Sequence, residues 1–306
     1  MTDKMLFLGI DIGGTNVKFG VMDENYVILK KDSIPTGAMR SADEILSDII
    51  KKADELCGEF EIEAVGIGVA GRVNSALGVL DNANNLPTLR QTPIAEIVGK
   101  ALGKRATLAN DARAAICGEL YAGAGKSYNT FAMITLGTGV GGGIVINRRM
   151  YFGNHGGAGE FGHMTIDRNG VRCRCGQVGC LEHYASVTAL IRQTNEAAKK
   201  HPDSTLAKLS EGGASGRTAF DAMKAGCPVA AEVVDKYIGY VAIGATNVAR
   251  ALQPEAIVIG GAISNEGDSL ILPLREKFKQ RCEIVTSELK NDAGIIGAVA
   301  MLRNEL

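Results

Sequence analysis

Residues 5–23, MLFLGIDIGGTNVKFGVMD, decide the fold because they predict two strands joined by a glycine turn. Apolar, β-prone runs flank the segment GGTN, which breaks the strand pattern. A second copy of this arrangement occurs in NTFAMITLGTGVGGGIVIN, residues 129–147, where LGTG echoes IGGT. The simplest organisation is therefore an internal duplication of an α/β unit that begins with a β-hairpin.

The bulk properties favour a globular protein of two domains. The chain has 306 residues, of which 46% are hydrophobic and 22% charged, and its formal net charge is −1. This charge gives no reason to expect nucleic acid or an acidic membrane surface as a partner. No run approaches the ~18 apolar residues of a membrane-spanning helix, and MTDKMLFLGIDIGG lacks the features of a signal peptide. We therefore expect a cytoplasmic protein.

Helical periodicity follows the hairpin in each half. In residues 41–57, SADEILSDIIKKADELC, apolar residues recur at helical spacing after Ser41, a candidate N-cap. Residues 228–252, PVAAEVVDKYIGYVAIGATNVARAL, predict a long helix in the second half. The closing segment NDAGIIGAVAMLRN, residues 291–304, also predicts a helix.

The glycine turns are candidate phosphate-binding sites. Glycines let backbone N–H groups approach an anion, Thr15 adds a hydroxyl donor, and Asp11 offers a hard oxygen ligand for Mg²⁺. An ordinary tight hairpin would explain either turn alone, but two such turns can hold one nucleotide. Neither fits the Walker pattern or the dinucleotide fingerprint. A third break, Gly260–Gly261, follows the predicted strand IVI, and a plain strand-to-helix turn is an alternative there.

The segment ATLANDARAAICGEL, residues 106–120, places Asn110 and Asp111 where a predicted strand meets a helix. An aspartate in this position is often only an N-cap. The alternative is a general base that accepts the proton of an attacking hydroxyl during phosphoryl transfer. The helix N-terminus would keep such a carboxylate ionised. Spacing alone does not choose between the two roles.

Three cysteines and one histidine form a compact cluster. Cys173, Cys175 and Cys180 have the spacing C-x-C-x4-C, and His163 lies ten residues before the first of them. Four nitrogen and sulfur ligands in a reducing compartment fit a structural tetrahedral zinc site, whereas the C-x-x-C spacing of a redox pair is absent. Glu160 and Glu182 lie close to these residues in the sequence. They either bind a polyhydroxylated ligand together with His163 or are solvated loop charges.

Together these segments resemble the ROK family of bacterial sugar kinases and related repressors. The resemblance covers nearly the whole chain and rests on DIGGTN, LANDARAA, LGTGVGGGIV, GGAGEFGH, CRCGQVGCLE and PEAIVIGGAIS. It implies an α/β fold of two actin-like ATPase (ribonuclease H-like) domains, each a βββαβαβα unit, with the active site in the cleft between them. It also implies a smaller domain of residues 1–110 plus approximately 292–306 and a larger domain of residues 111–291.

The resemblance implies a role for each candidate residue. Asp111 would be the catalytic base for the sugar 6-hydroxyl. The sugar-contacting positions would be Gly71, Asn84, Asn85, Asn110, Asp111, Glu160, His163 and Glu182. ATP with Mg²⁺ would contact three turns. The first phosphate loop would be formed by Asp11, Gly13, Gly14, Thr15 and Asn16. The second phosphate loop would be formed by Thr138 and Gly139, and the adenosine-side turn by Gly260 and Gly261. A structural Zn²⁺ would be held by His163, Cys173, Cys175 and Cys180.

Three positions depart from the family pattern. Leu89 stands where tryptophan is common in the family, Arg72 where proline is common in its glucokinases, and Arg113 where asparagine is usual. The expected activity is ATP-dependent phosphorylation of a free hexose, with glucose first. N-acetylmannosamine, N-acetylglucosamine, fructose and a phospho-β-glucoside precursor are alternatives.

Two functions of a different class are alternatives to a kinase: a transcriptional repressor and a sugar-binding module. The family's repressors carry a DNA-binding segment before the first phosphate loop, and here Asp11 lies near the start of the sequence. A sugar-binding module without catalysis would lack Asp111 or the phosphate loops, which are present. The expected partners are a sugar and ATP, with no nucleic acid or membrane, and the family suggests a homodimer or homotetramer.

Overall fold

The structure is a computed structural model that describes residues 5–304. Residues 1–4 and 305–306, which belong to the predicted smaller domain, lie outside the described range. The first part of the chain contains β1 (Leu6–Ile12), β2 (Asn16–Asp23), β3 (Ile28–Pro35), α1 (Ala42–Glu59), β4 (Ile62–Val69), β5 (Arg72–Asn74), β6 (Val79–Asn82), α2 (Ile94–Leu102), β7 (Arg105–Asn110) and α3 (Asp111–Ala122). The second part contains β8 (Phe131–Leu136), β9 (Val140–Ile146), β10 (Arg149–Tyr151), α4 (Glu182–Ala185), α5 (Val187–Lys200), α6 (Thr205–Leu209), α7 (Thr218–Lys224), α8 (Pro228–Leu252), β11 (Ala256–Gly260), α9 (Asp268–Lys277) and β12 (Glu283–Thr286). The last helix is α10 (Ala293–Asn304).

The chain divides into two compact units. Unit 1 comprises the chain up to Lys126 together with the chain from Asn291 onward, and unit 2 comprises Ser127–Lys290. The predicted boundary after Asn110 therefore differs from the structural one, because α3 packs against α10 and belongs to unit 1. The predicted return of the C-terminal segment to the first unit agrees with this division.

The two units are built on sheets of the same topology. In unit 1 the strand order is β3-β2-β1-β4-β7, and in unit 2 it is β10-β9-β8-β11-β12. In each sheet the first three strands pair antiparallel, and the remaining two add in parallel. The duplication predicted from the two glycine turns is confirmed by this common order.

Each unit has its own apolar core. In unit 1 the sheet packs against α1 and α2, and Leu89, where the family commonly has tryptophan, is fully buried in that core. In unit 2 the core lies between the sheet and the long helix α8, whose buried residues include Tyr237. Ser41 caps α1 as predicted, with Glu44 completing a capping box.

Helix α10 supports the strands and the helix that carry the carboxylates of unit 1. It packs against β1, β4 and α3. Methyl groups at Gly66 or Gly297 would collide with the backbone of Ala298 and of Ala114, respectively. Small residues therefore allow α10 to approach both the sheet and α3 closely. Within residues 5–304, no helix combines the length and apolar character required to cross a membrane.

Candidate active site

The junction of β7 and α3 places Asp111 at the first position of a helix. Asn110 is the N-cap, because its side-chain oxygen accepts a hydrogen bond from the backbone N–H of Arg113 at 3.1 Å. The Asn110 amide also donates to the Gly71 carbonyl oxygen at 2.8 Å and to Asp111 Oδ1 at 2.9 Å. Asn110 is thus the N-cap, a role that the sequence had left open for Asp111. Its side-chain amide also connects Gly71 and Asp111, two other predicted sugar-side residues.

Burial dominates the electrostatics of Asp111. It raises the pKa of this carboxyl from 3.8 to about 6, and the hydrogen bond from the backbone N–H of Ala112 opposes the rise. The negative charge of Asp11 adds a smaller upward contribution to the pKa. Burial thus opposes the ionising effect that was predicted for the helix N-terminus. At pH 7 a carboxyl with this pKa is still about 90% ionised, so it can accept a proton near neutral pH.

The first glycine turn joins β1 to β2 and is held by Thr36. The Thr36 hydroxyl donates to the Gly13 carbonyl at 2.7 Å, and the Thr36 N–H donates to the Thr15 carbonyl at 2.9 Å. A methyl group at Gly14 would lie 3.2 Å from the Cβ of Asn85, so the turn packs against the predicted sugar-side segment. Asn85 and its neighbour Asn84 are solvent-exposed.

Asp11 lies near the end of β1 and faces Lys18 on β2. Its Oδ2 is 3.7 Å from the Lys18 Nζ. Burial raises the pKa of Asp11, and the Lys18 ammonium opposes this effect. Sequence reasoning missed Lys18. The signal was available, since the turn pairs Ile12 with Val17 and therefore places residue 18 opposite residue 11.

In unit 2, the second glycine turn is Gly137–Val140. The Gly137 N–H donates to the Gly139 carbonyl at 3.0 Å, and Thr138 at the tip is exposed. The Glu182 carboxylate accepts a hydrogen bond from the Val140 N–H at 3.0 Å. A methyl group at Gly139 would collide with the same carboxylate. The structure thus joins Glu182, a predicted sugar contact, to the predicted second phosphate loop.

The third turn contacts the second. Gly261 follows β11 with φ +83°, and a side chain there would meet the backbone of Leu136, the residue before the second turn, at 2.5 Å. The close approach and the positive φ both require glycine at this position. The predicted phosphate and adenosine residues of unit 2 are therefore adjacent in the structure.

The histidine and the three cysteines form the predicted cluster. Their ligand atoms all lie within 4.8 Å of one another. Cys175 Sγ is 3.5 Å from Cys180 Sγ, and Cys173 Sγ is 3.7 Å from His163 Nδ1. A tetrahedral zinc ion with Zn–S bonds of about 2.3 Å separates its ligands by roughly 3.5–3.8 Å, so the donor set and its spacing fit zinc. Glu160 precedes the short turn Phe161–His163 and is exposed.

The backbone around the cluster forms a tight loop. The Cys173 N–H donates to the Gln177 carbonyl at 2.8 Å, and Arg172 pairs with Val178 across the loop. The backbone N–H of Gln177 lowers the pKa of the Cys175 thiol, which favours the thiolate that a metal requires. Burial raises the pKa of the Cys180 thiol to about 12, so this thiol would need the charge of a bound metal ion to deprotonate.

A sequence model described as the ROK family matches residues 7–305 of the chain. The chain belongs to the ROK family. A glucokinase of Thermotoga maritima is 34% identical over 99% of both chains, and a glucokinase of Streptomyces coelicolor is 36% identical over 97% of this chain and 98% of its own length. A crystal structure of a ROK family glucokinase from Streptomyces griseus in complex with glucose and AMPPNP has a TM-score of 0.82 at 32% identity, and it covers 98% of this chain and 99% of the other.

This ROK chain carries two groups of candidate residues, one in each unit. Unit 1 brings together the two carboxylates, Lys18 and the first glycine turn with its neighbouring asparagines. Unit 2 brings together the second and third glycine turns and Glu182, and it also contains the cluster of His163 and the three cysteines. Gly71 is connected to the first group through Asn110, and Glu160 precedes the short turn that carries His163.

Proposed function

We propose that the chain is an ATP-dependent kinase that phosphorylates the 6-hydroxyl of a free hexose, with glucose as the first candidate. The observation that carries this proposal is the partly buried Asp111 carboxylate, which is free of the capping role because Asn110 caps the helix, and whose pKa of about 6 suits a general base. The ROK relatives named above, all glucokinases, support the substrate class.

In the proposed reaction, Asp111 accepts the proton of the sugar 6-hydroxyl as that oxygen forms a bond to the γ-phosphorus. The bond between the γ-phosphorus and the bridging oxygen to the β-phosphate breaks, and ADP leaves. Asp111 then releases its proton to solvent. Positioning and charge neutralisation supply most of the catalysis in this chemistry, because the transition state needs little covalent help.

The remaining residues of unit 1 would orient the reactants. We assign Asn110, Gly71, Asn84 and Asn85 to the sugar, and the first glycine turn to the phosphates. Lys18 would offer its ammonium group to a phosphate oxygen, with Asp11 holding it in place. Mg²⁺ carried by ATP would neutralise charge on the phosphates, and the Asp11 carboxylate is the candidate oxygen ligand for it or its waters.

In unit 2, the second and third turns would bind the phosphates and the adenosine, and Glu160, His163 and Glu182 would contribute to the sugar. We assign a structural Zn²⁺ to His163, Cys173, Cys175 and Cys180, where it would fix the loop rather than activate a nucleophile. We also infer a cytoplasmic location, where ATP and reduced thiols are maintained, and a homodimer or homotetramer, which light scattering would test.

The experiment is an ADP-release assay across free hexoses and N-acetylhexosamines. We expect release that depends on sugar and is fastest with glucose. The control sugar is 6-deoxyglucose, which lacks the acceptor hydroxyl and should inhibit competitively without releasing ADP. Sugar-independent ATP hydrolysis, release with 6-deoxyglucose, or inactivity with the whole panel would contradict the proposal. If ADP release were faster with an N-acetylhexosamine, that sugar would replace glucose as the proposed substrate, and the proposed phosphoryl transfer would stand.

A further inference from the structure

The segment Glu182–Thr188, here called the clamp segment, contacts the second glycine turn at three points. The Glu182 carboxylate accepts from the Val140 N–H at 3.0 Å. The Val187 N–H donates to the Gly137 carbonyl at 2.8 Å, and the Thr188 hydroxyl donates to the Thr138 carbonyl at 2.7 Å. The clamp segment therefore holds both the start and the end of the turn.

These contacts determine which way the peptide groups of the turn face. In a planar trans peptide the C=O and the following N–H point in opposite directions. Because the carbonyls of Gly137 and Thr138 both face the clamp segment, the N–H groups of Thr138 and Gly139 face away from it. Among the described residues, neither of these N–H groups has a protein acceptor. Successive N–H groups with a common direction form an anion-binding concavity.

Thr188 is well placed to control this orientation. It is the second residue of α5, a helix of 14 residues capped by Ser186, so its backbone is fixed by regular structure. Its side chain is exposed and lies outside the metal cluster and the predicted sugar residues. The hydroxyl is the side-chain group that holds the Thr138 carbonyl.

We propose that the clamp segment presets the second glycine turn for the phosphates of the nucleotide, with Thr188 as a positioning residue. This inference rests on the proposed kinase function, in which the second turn binds ATP. Without the Thr188 hydroxyl the peptide between Thr138 and Gly139 is free to rotate, and part of the nucleotide-binding free energy is then spent on ordering the turn.

The test compares Thr188→Val with Thr188→Ser, which keeps the hydroxyl. The matched control is Thr194→Val on the same helix, where the hydroxyl donates to the Leu190 carbonyl at 2.8 Å, away from the turn. The Kd of Mg-ADP is measured by calorimetry, and the KM for ATP, kcat and the Kd of glucose are measured on the same preparations.

We expect Thr188→Val to raise the Kd of Mg-ADP and the KM for ATP by about 3- to 10-fold, as the loss of one hydrogen bond implies. The kcat at saturating ATP and the Kd of glucose should stay at their wild-type values. Thr188→Ser should retain wild-type nucleotide affinity. Thr194→Val should lower the Tm but leave the nucleotide affinity unchanged.

An unchanged nucleotide affinity in Thr188→Val, or equal weakening in Thr188→Ser, would overturn the proposal. So would an equal loss of glucose affinity, because that result indicates general disruption of unit 2. The kinase proposal fails separately, through the absence of sugar-dependent ADP release by the wild-type protein. Binding of Mg-ADP tests the clamp segment even in that case.

Discussion

Asp111→Asn should lower kcat by orders of magnitude and at the same time stabilise the protein at neutral pH. Burial of the charged Asp111 carboxylate opposes folding, because its pKa rises from 3.8 to about 6. A difference of about 2 pKa units corresponds to about 3 kcal/mol, the free energy by which the ionised carboxylate destabilises the folded state at pH 7. Asparagine is neutral and can keep the hydrogen bond from Ala112, so the variant should recover up to that amount.

The sign of the pH dependence follows from the raised pKa. Between pH 3.8 and about 6 the folded protein binds a proton at Asp111 that the unfolded chain releases. Stability associated with Asp111 is therefore greatest at acidic pH and is lost as the pH rises through this window. The advantage of Asp111→Asn should be largest near neutral pH and should shrink toward zero at about pH 4.

The assay is urea unfolding of both proteins from about pH 4 to about pH 7, without ligands, following the transition of unit 1. The control is Asp43→Asn, an exposed carboxylate in the first turn of α1, which should give no comparable gain. The kcat of Asp111→Asn should fall by about 10²- to 10⁴-fold with glucose affinity largely intact. A variant that is less stable than wild type at pH 7, or a gain that does not change with pH, would refute the reasoning.

Three further outcomes are expected. In the wild type, log(kcat/KM) should fall as the pH drops below about 6, because Asp111 becomes protonated; a profile flat to pH 5 would exclude it as the base. Lys18→Met should raise the KM for ATP at least 10-fold and leave the Kd of glucose, measured by calorimetry, unchanged. An equal loss of affinity for both ligands would contradict a contact between Lys18 and a phosphate. Gly71→Ala should destabilise unit 1 by about 2 kcal/mol or more in urea unfolding, because φ is +136° and a methyl group would lie 2.5 Å from the Asn82 carbonyl; an unchanged midpoint would show that the backbone relaxes there.

Removal of the proposed Zn²⁺ gives a fifth prediction, which concerns the binding of both sugar and nucleotide. The clamp segment begins two residues after Cys180, and Gly162, next to His163, packs against the Val140 carbonyl. Chelation should therefore weaken binding of Mg-ADP as well as glucose, as measured by calorimetry before and after zinc is restored. Zinc in the purified protein is quantified in parallel by atomic absorption. Loss of glucose affinity with unchanged Mg-ADP affinity would contradict the link to the second turn.

The sequence predicted the repeated elements well, because they depend on local patterns. The two hairpins with their glycine turns, the cap at Ser41 and the long helix α8 all follow from periodicity and turn chemistry. The cysteine spacing likewise predicted a cluster that the structure brings together. Each of these elements is predicted from one short continuous stretch of sequence, of which helix α8, with 25 residues, is the longest.

Features that depend on tertiary contacts could not be predicted in the same way. Glu182 was assigned to the sugar, and its hydrogen bond to Val140 joins residues 42 positions apart. The direction of the Asp111 pKa shift depends on burial, which no local spacing reveals. The predicted domain boundary after Asn110 was placed where a strand changes to a helix. The structural boundary lies after Lys126, because α3 packs against α10 in unit 1. Lys18 is the exception, since the hairpin register would have placed it opposite Asp11.

Helix α10 has a consequence for biosynthesis. Unit 1 is made of two separate segments and needs residues 293–304 to cover β1, β4 and α3, whereas unit 2 is contiguous. During translation, unit 2 therefore has its whole sequence available before unit 1 does, and unit 1 waits with one face of its sheet uncovered until α10 has been synthesised. A product that ends before α10 would retain the cysteine loop but lack the helix that packs against β1 and α3, which carry Asp11 and Asp111. Chaperones and proteases would therefore meet unit 1 without this support until α10 has been made.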